Sequence, residues 1–86
     1  MKNDPPQPRL HNAAFGRVLA ELRRKRGLSQ EKLGFEAEVD RTFISLLERG
    51  RRSPTLDTIF SLSRALDIPF TELATLVAAQ LENPHE

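Results

Sequence analysis

Apolar residues recur along this chain at helical spacing, in five groups separated by glycine, proline or capping residues. Phe15, Val18, Leu19 and Leu22 fall at i, i+3, i+4 and i+7, the stripe of an amphipathic helix. The spacing predicts a first helix over 12–26, with Asn12 as its N-cap and Gly27 as the left-handed residue that ends it and folds Leu28 back on Leu22. Ser29 caps a short second helix whose inward pair is Leu33 and Ala37. Gly34 lies inside that helix, where glycine costs ~1 kcal/mol relative to alanine, and so points to a close helix–helix approach. Asp40 caps a third helix over 41–49, closed by Gly50, with Ile44 and Leu47 facing the core. Pro54 and Thr55 open a fourth with the stripe Leu56, Ile59, Phe60, Ser63 and Leu66, which Asp67-Ile68-Pro69 breaks. A fifth, over about 70–81, repeats the helical interval through Leu73, Leu76, Val77, Gln80 and Leu81.

The expected architecture is therefore all-α: a compact five-helix domain over 12–82, between a disordered tail at 1–11 and a frayed end at 83–86. Pro5, Pro6 and Pro8 deny the first segment regular hydrogen bonding. With 86 residues the chain makes one domain near the small end of what folds without staples. The fifth helix is long, apolar and rich in alanine for a terminal cap on so small a core. Leu73, Leu76, Val77, Gln80 and Leu81 are accordingly candidates for a dimer interface, the alternative being that they only close the monomer.

Composition narrows the function by exclusion. There is no cysteine, hence no disulfide framework and no thiolate metal site. No stretch approaches the ~18 apolar residues of a membrane span, so a cytoplasmic protein without membrane contact is expected. His11 and His85 stand near opposite ends of the chain, with no partner acid or nucleophile in a defined constellation. No glycine loop for phosphates or clustered ligand set is present either, and neither catalysis, cofactor, metal nor small-molecule ligand is expected. The net charge of +1 conceals a gradient. Residues 1–26 hold seven basic and two acidic residues, 27–53 hold five of each, and 54–86 hold one basic and five acidic. A basic N-terminal half suits a polyanionic partner, although an ordinary solvated surface produces such bias almost as often.

Two helices joined by a short turn, the second of them capped at both ends, match the helix-turn-helix motif, whose second helix enters the major groove of duplex DNA. The outward set on the third helix is Arg41, Thr42 and Ser45, joined by Phe43, Leu46 and Arg49. These side chains suit groove reading, since arginine pairs bidentately with guanine or phosphate, and a threonine methyl or phenylalanine ring can meet a thymine methyl. Glu48 in such a helix would repel phosphate unless turned inward and paired.

Gly27 to Leu66, GLSQEKLGFEAEVDRTFISLLERGRRSPTLDTIFSLSRAL, resembles the Xre/lambda-repressor-like helix-turn-helix family. Ser29-Gln30, Ile44-Ser45, Glu48-Arg49-Gly50 and Pro54-Thr55-Leu56 carry the resemblance. It implies that Gln30 contacts a phosphate, that Arg41, Thr42, Ser45 and Leu46 read bases or meet the backbone, and that Phe43 packs at the DNA edge. Arg51 and Arg52, with Arg49 beside them, occupy the loop that meets the sugar-phosphate backbone or minor groove. Arg23 and Glu48 match the family's internal ion pair. Two positions depart from the family: Glu38 stands where glycine is usual in the turn, and Gly34 where alanine is usual. The function so implied is a homodimeric, sequence-specific regulator of transcription, of repressor type, bound to a pseudo-palindromic operator in double-stranded DNA. The alternative is a protein-interaction module, such as an antitoxin or partner-binding subunit, with DNA binding secondary.

Overall fold

The computed structural model describes residues 10–82 and contains five helices: α1 Leu10–Lys25, α2 Gln30–Ala37, α3 Arg41–Glu48, α4 Leu56–Ala65 and α5 Phe70–Glu82. α1 runs through the domain with α3 and α5 packed against it, while α2 bridges α3 and α4. Leu19, Leu33, Ile44, Leu47, Leu62 and Leu73, drawn from all five helices, are fully buried at the centre. Each such aliphatic side chain contributes roughly 1.5–3 kcal/mol by leaving water, so no helix of this small domain can be removed without exposing part of the shared core.

Four of the helices end in the same way. At Gly27, Glu38, Gly50 and Asp67 the chain turns through a left-handed residue, with φ of 70°, 59°, 72° and 56°. In each case the amide one residue further on reaches back five positions to the last turn: Leu28 to Arg23, Val39 to Gly34, Arg51 to Leu46 and Ile68 to Ser63. These are Schellman closures, which satisfy carbonyls the helix leaves open. Two of the four left-handed residues are not glycine, and each bears the crowding of its Cβ against the backbone. Glu38→Gly is therefore expected to stabilise the fold by about 1 kcal/mol, which in a domain of this size raises Tm by roughly 4–8 °C. Thermal unfolding followed by circular dichroism reads this directly, and an unchanged or lower Tm would contradict it.

Several expectations are corrected. α1 begins at Leu10, two residues before the predicted start, so Asn12 is no cap; it lies within the helix and is 8% exposed. The reason is that its side chain is engaged elsewhere, accepting a hydrogen bond from Ser53. The remainder of the predicted tail, 1–9, and the predicted frayed end, 83–86, lie outside the described residues. On α4 the buried positions are Leu62, Ser63 and Leu66, whereas Leu56 and Phe60 are exposed. The buried face runs through Ile59, Leu62 and Ser63 and leaves Leu56 and Phe60 to one side, where Phe60 rests on Phe70, their ring centroids 4.9 Å apart. Leu73, counted as a dimer candidate, is 1% exposed and belongs to the monomer core. Leu76 and Gln80 turn toward α1, lining a groove with Val18, Glu21, Leu22 and Lys25. Among the described residues no helix is long and apolar enough to cross a membrane.

Candidate nucleic-acid interface

α2 and α3 are joined by the three residues Glu38, Val39 and Asp40. Each helix begins on a side-chain cap: Ser29 Oγ accepts from the amide of Lys32 at 3.0 Å, and Asp40 Oδ2 from that of Thr42 at 2.9 Å. The turn closes tightly over Gly34, where a Cβ would lie 2.5 Å from the carbonyl oxygen of Val39. The close approach signalled by that glycine is thus to the backbone of the turn, and a side chain at this position would push α2 and α3 apart.

α3 is about 12 Å long, and its two faces differ sharply. Ile44 and Leu47 are fully buried. Arg41 and Thr42 are exposed at its start, Ser45 and Leu46 are half-buried along the same face, and Arg49 is exposed just past its end. Phe43 is half-buried and packed against the core, so it braces the helix from the side. Arg49 turns its Nε back to the carbonyl of Ser45 at 3.4 Å, a weak contact that an anion could displace. Arg51 and Arg52 follow, both exposed in the loop leading to α4. The structure therefore gathers Arg41, Thr42, Ser45 and Leu46 on one helix face and gives that face a basic border of three arginines at its far end.

Behind this face lies a polar knot joining three helices. Arg23 of α1 donates from Nε to Glu48 Oε2 at 2.6 Å and from Nη2 to Glu48 Oε1 at 3.1 Å, a two-pronged pair with side chains 12% and 7% exposed. Its Nη1 donates to the carbonyl of Leu28. The hydrogen bond to Glu48 raises the Arg23 pKa above its ordinary value against the opposing effect of burial. Gln30 Nε2 donates to Glu48 Oε1 at 2.9 Å. Gln30 therefore commits one of its two amide protons to this knot, and only the other is available to a phosphate. Glu48 faces inward with its charge matched, which removes the one acid that would oppose phosphates from within α3. Of the basic run closing α1, Arg23 is consumed here and Arg26 donates to the carbonyl of Leu66 at 2.7 Å. Arg24 and Lys25 are exposed.

The chain's most exposed large apolar groups include Leu10, Phe35, Leu56 and Phe60. Phe35 stands on the outer face of α2, with the Lys32 ammonium 5.9 Å from its ring centroid. Phe70, Ala74, Val77, Ala78 and Leu81 of α5, together with Ile59 of α4, form an apolar surface beside Phe15. Of the dimer candidates, Val77 and Leu81 fall on it, with the buried Leu73 at its floor. Among the described residues no group of three or more His, Asp or Glu side chains could hold a metal ion.

The helix-turn-helix family model HTH_3 matches residues 19–73, which contain α2, α3, α4, the second part of α1 and the first turn of α5. The chain belongs to this family of DNA-binding transcription regulators. It is 42% identical over 60 residues to the uncharacterized HTH-type transcriptional regulator y4dJ of Sinorhizobium fredii, covering 70% of this chain and 78% of that one. It is 46% identical over 55 residues to the control protein C.BamHI of Bacillus amyloliquefaciens, covering 63% and 68%. Among solved structures, the restriction-modification controller protein C.AhdI of Aeromonas hydrophila superposes with a TM-score of 0.70 at 45% identity, over 72% of this chain and 94% of that one.

Two residues beside the loop after α3, Gly16 and Ser53, are not singled out by the sequence, and Asn12, expected as a cap, instead accepts a hydrogen bond from Ser53. Gly16 carried a readable signal, since it sits mid-helix in α1 as Gly34 does in α2. Ser53 carried none, because a serine in a polar loop looks the same whether or not its hydroxyl is engaged.

Proposed function

We propose that this helix-turn-helix protein is a homodimeric repressor that binds a pseudo-palindromic operator in cytoplasmic DNA, with α3 in the major groove. The observation that carries the reading is the division of α3: its acid is turned inward and paired, while Arg41, Thr42, Ser45 and Leu46 face out beside Arg49, Arg51 and Arg52. In this reading Thr42 and Arg41 meet base edges first because a recognition helix enters the groove by its N-terminal residues. Arg51 and Arg52 meet the sugar-phosphate backbone, Gln30 offers its remaining amide proton to a phosphate, and Ser45 and Leu46 lie against the groove wall. Occupying the groove excludes other proteins from the same DNA, which is the simplest route to repression.

Dimerisation follows from the apolar surface of α4 and α5. Phe60, Phe70, Ala74, Ala78 and Leu81 leave a continuous apolar strip on a small domain, and a two-fold mate would cover it with the same strip. Two copies would then read half-sites about 34 Å apart. Phe60→Asp is expected to shift the protein to monomer in sedimentation equilibrium and to abolish binding to the full site at concentrations where the native chain saturates it. A dimer that persists in this variant would place the contact elsewhere.

The test of the function is selection of bound duplexes from a random pool at two salt concentrations. Enrichment of a two-fold-symmetric sequence is the expected result; weak, unselective binding would overturn the reading and favour a protein-interaction module. On the selected site, Arg51→Ala and Arg52→Ala are each expected to weaken binding to all duplexes and to flatten the salt slope by about 0.9. Thr42→Ala is expected to change which sequence is preferred while leaving that slope in place.

A further inference from the structure

The loop bearing Arg51 and Arg52 leaves α3 through Gly50, and the chain passes so close to α1 there that a Cβ on Gly50 would lie 3.0 Å from the Cα of Ala13. On the neighbouring residue of α1, Asn12 Oδ1 accepts a 2.8 Å hydrogen bond from Ser53 Oγ, 41 positions away in sequence. One turn further along α1, Gly16 lies directly beneath the carbonyl groups of Leu47 and Glu48. The basic loop is thus held to α1 on either side of its two arginines, whose own side chains remain exposed.

Asn12 asks for such an explanation on its own account. An amide this deeply buried costs free energy unless it is hydrogen-bonded. Asn12 and Ser63 are the buried polar side chains among the described residues, and only the first reaches across to the candidate interface. A loop free to move would have to be ordered when DNA binds, at a cost to affinity; a loop already fixed would not.

We propose that Asn12 is a positioning residue for DNA binding, which touches no DNA itself but, through Ser53, holds the 49–53 loop in the conformation that presents Arg51 and Arg52 to the phosphate backbone. This rests on the operator-binding reading above. Because Asn12 lies beneath the loop, the tether sets affinity and salt dependence and leaves base preference alone.

The test uses the full chain and the duplex selected by the native protein. Binding is titrated across a series of salt concentrations, at a temperature where circular dichroism shows every variant folded. Asn12→Ala and Ser53→Ala are each expected to weaken binding about fivefold, the ratio carried by one lost hydrogen bond, with a shallower salt slope and an unchanged preferred sequence. The double variant should be no weaker than either single one, and Ser53→Thr, which keeps the hydroxyl, should restore binding. In an Arg51→Ala/Arg52→Ala background, Asn12→Ala should have no further effect. Should Asn12→Ala fail to fold, Ser53→Ala carries the test, since Ser53 is exposed. Native affinity and salt slope in folded Ser53→Ala, alongside weakened binding in the Arg51 and Arg52 variants, would overturn the tether while leaving the operator reading intact. Equal duplex binding by the native chain and the Arg51→Ala/Arg52→Ala variant would instead bring down the operator reading, and the tether with it.

Discussion

Gly16→Ala is expected to destabilise the domain by about 3 kcal/mol, at the upper end of the range for overpacking a filled site. On an exposed helix the same change would stabilise by ~1 kcal/mol, because alanine is the better helix former. Here the added carbon would meet three backbone atoms at once: the carbonyl oxygen of Leu47, that of Glu48 at 2.6 Å and the carbonyl carbon of Glu48 at 2.9 Å. None of the three can rotate away as a side chain would. Relief requires moving the end of α3 off α1, which also disturbs the Arg23–Glu48 pair and the loop beyond it. Urea unfolding should show the midpoint falling with little change in m. Duplex binding should fall further than the unfolded fraction explains, since the reading face shifts in the molecules that remain folded. A midpoint at or above that of the native chain would mean that the two helices are not in backbone contact at this point.

The second large effect belongs to the Arg23–Glu48 pair. Removing the guanidinium with Arg23→Met strands a nearly buried carboxylate with only the Gln30 amide, and breaking a buried pair from one side costs about 3–5 kcal/mol. Arg23→Met/Glu48→Leu removes both charges and should recover most of that loss, because replacing a whole buried pair with apolar side chains is often neutral. A double-mutant cycle in denaturant measures the difference. Near-additive losses would show that the pair is not coupled. The single variant carries a further consequence, since an unmatched acid inside α3 opposes phosphates and so weakens duplex binding even in the folded fraction.

Much of this was legible in the residues because the cues were local. Ser29, Asp40, Gly27 and Gly50 mark helix boundaries through hydrogen bonds made within a few positions, and those boundaries fell within a residue or so of expectation. The start of α1 was misjudged because Asn12 suits a cap by type, and only its bond to a serine 41 positions away shows otherwise. The stripe on α4 erred for a related reason: the face turned to the core runs through Ile59, Leu62, Ser63 and Leu66, rotated away from Leu56 and Phe60, and that rotation is set by neighbouring helices, not by the apolar spacing. On α5, likewise, the apolar count suggested a surplus, whereas the division between Leu73 in the core and Leu81 at the surface depends on where α1 lies. At the interface, the residue types on α3 were readable, but the deeper position of Phe43 and the partial engagement of Gln30 depend on neighbours in other helices.

The anchoring of α3 by distant parts of the chain also bears on how the domain opens. With eight residues, this helix is too short to persist alone in water. Its last residue, Glu48, is held by Arg23, 25 positions away, and the loop beyond it by the Ser53–Asn12 bond, which spans 41. Its amides are therefore expected to exchange with solvent together with those of α1 and α2, against which it packs, and not through a local opening of its own. If α3 is the surface that meets DNA, as proposed, a copy that has lost its fold has lost that surface in the same step.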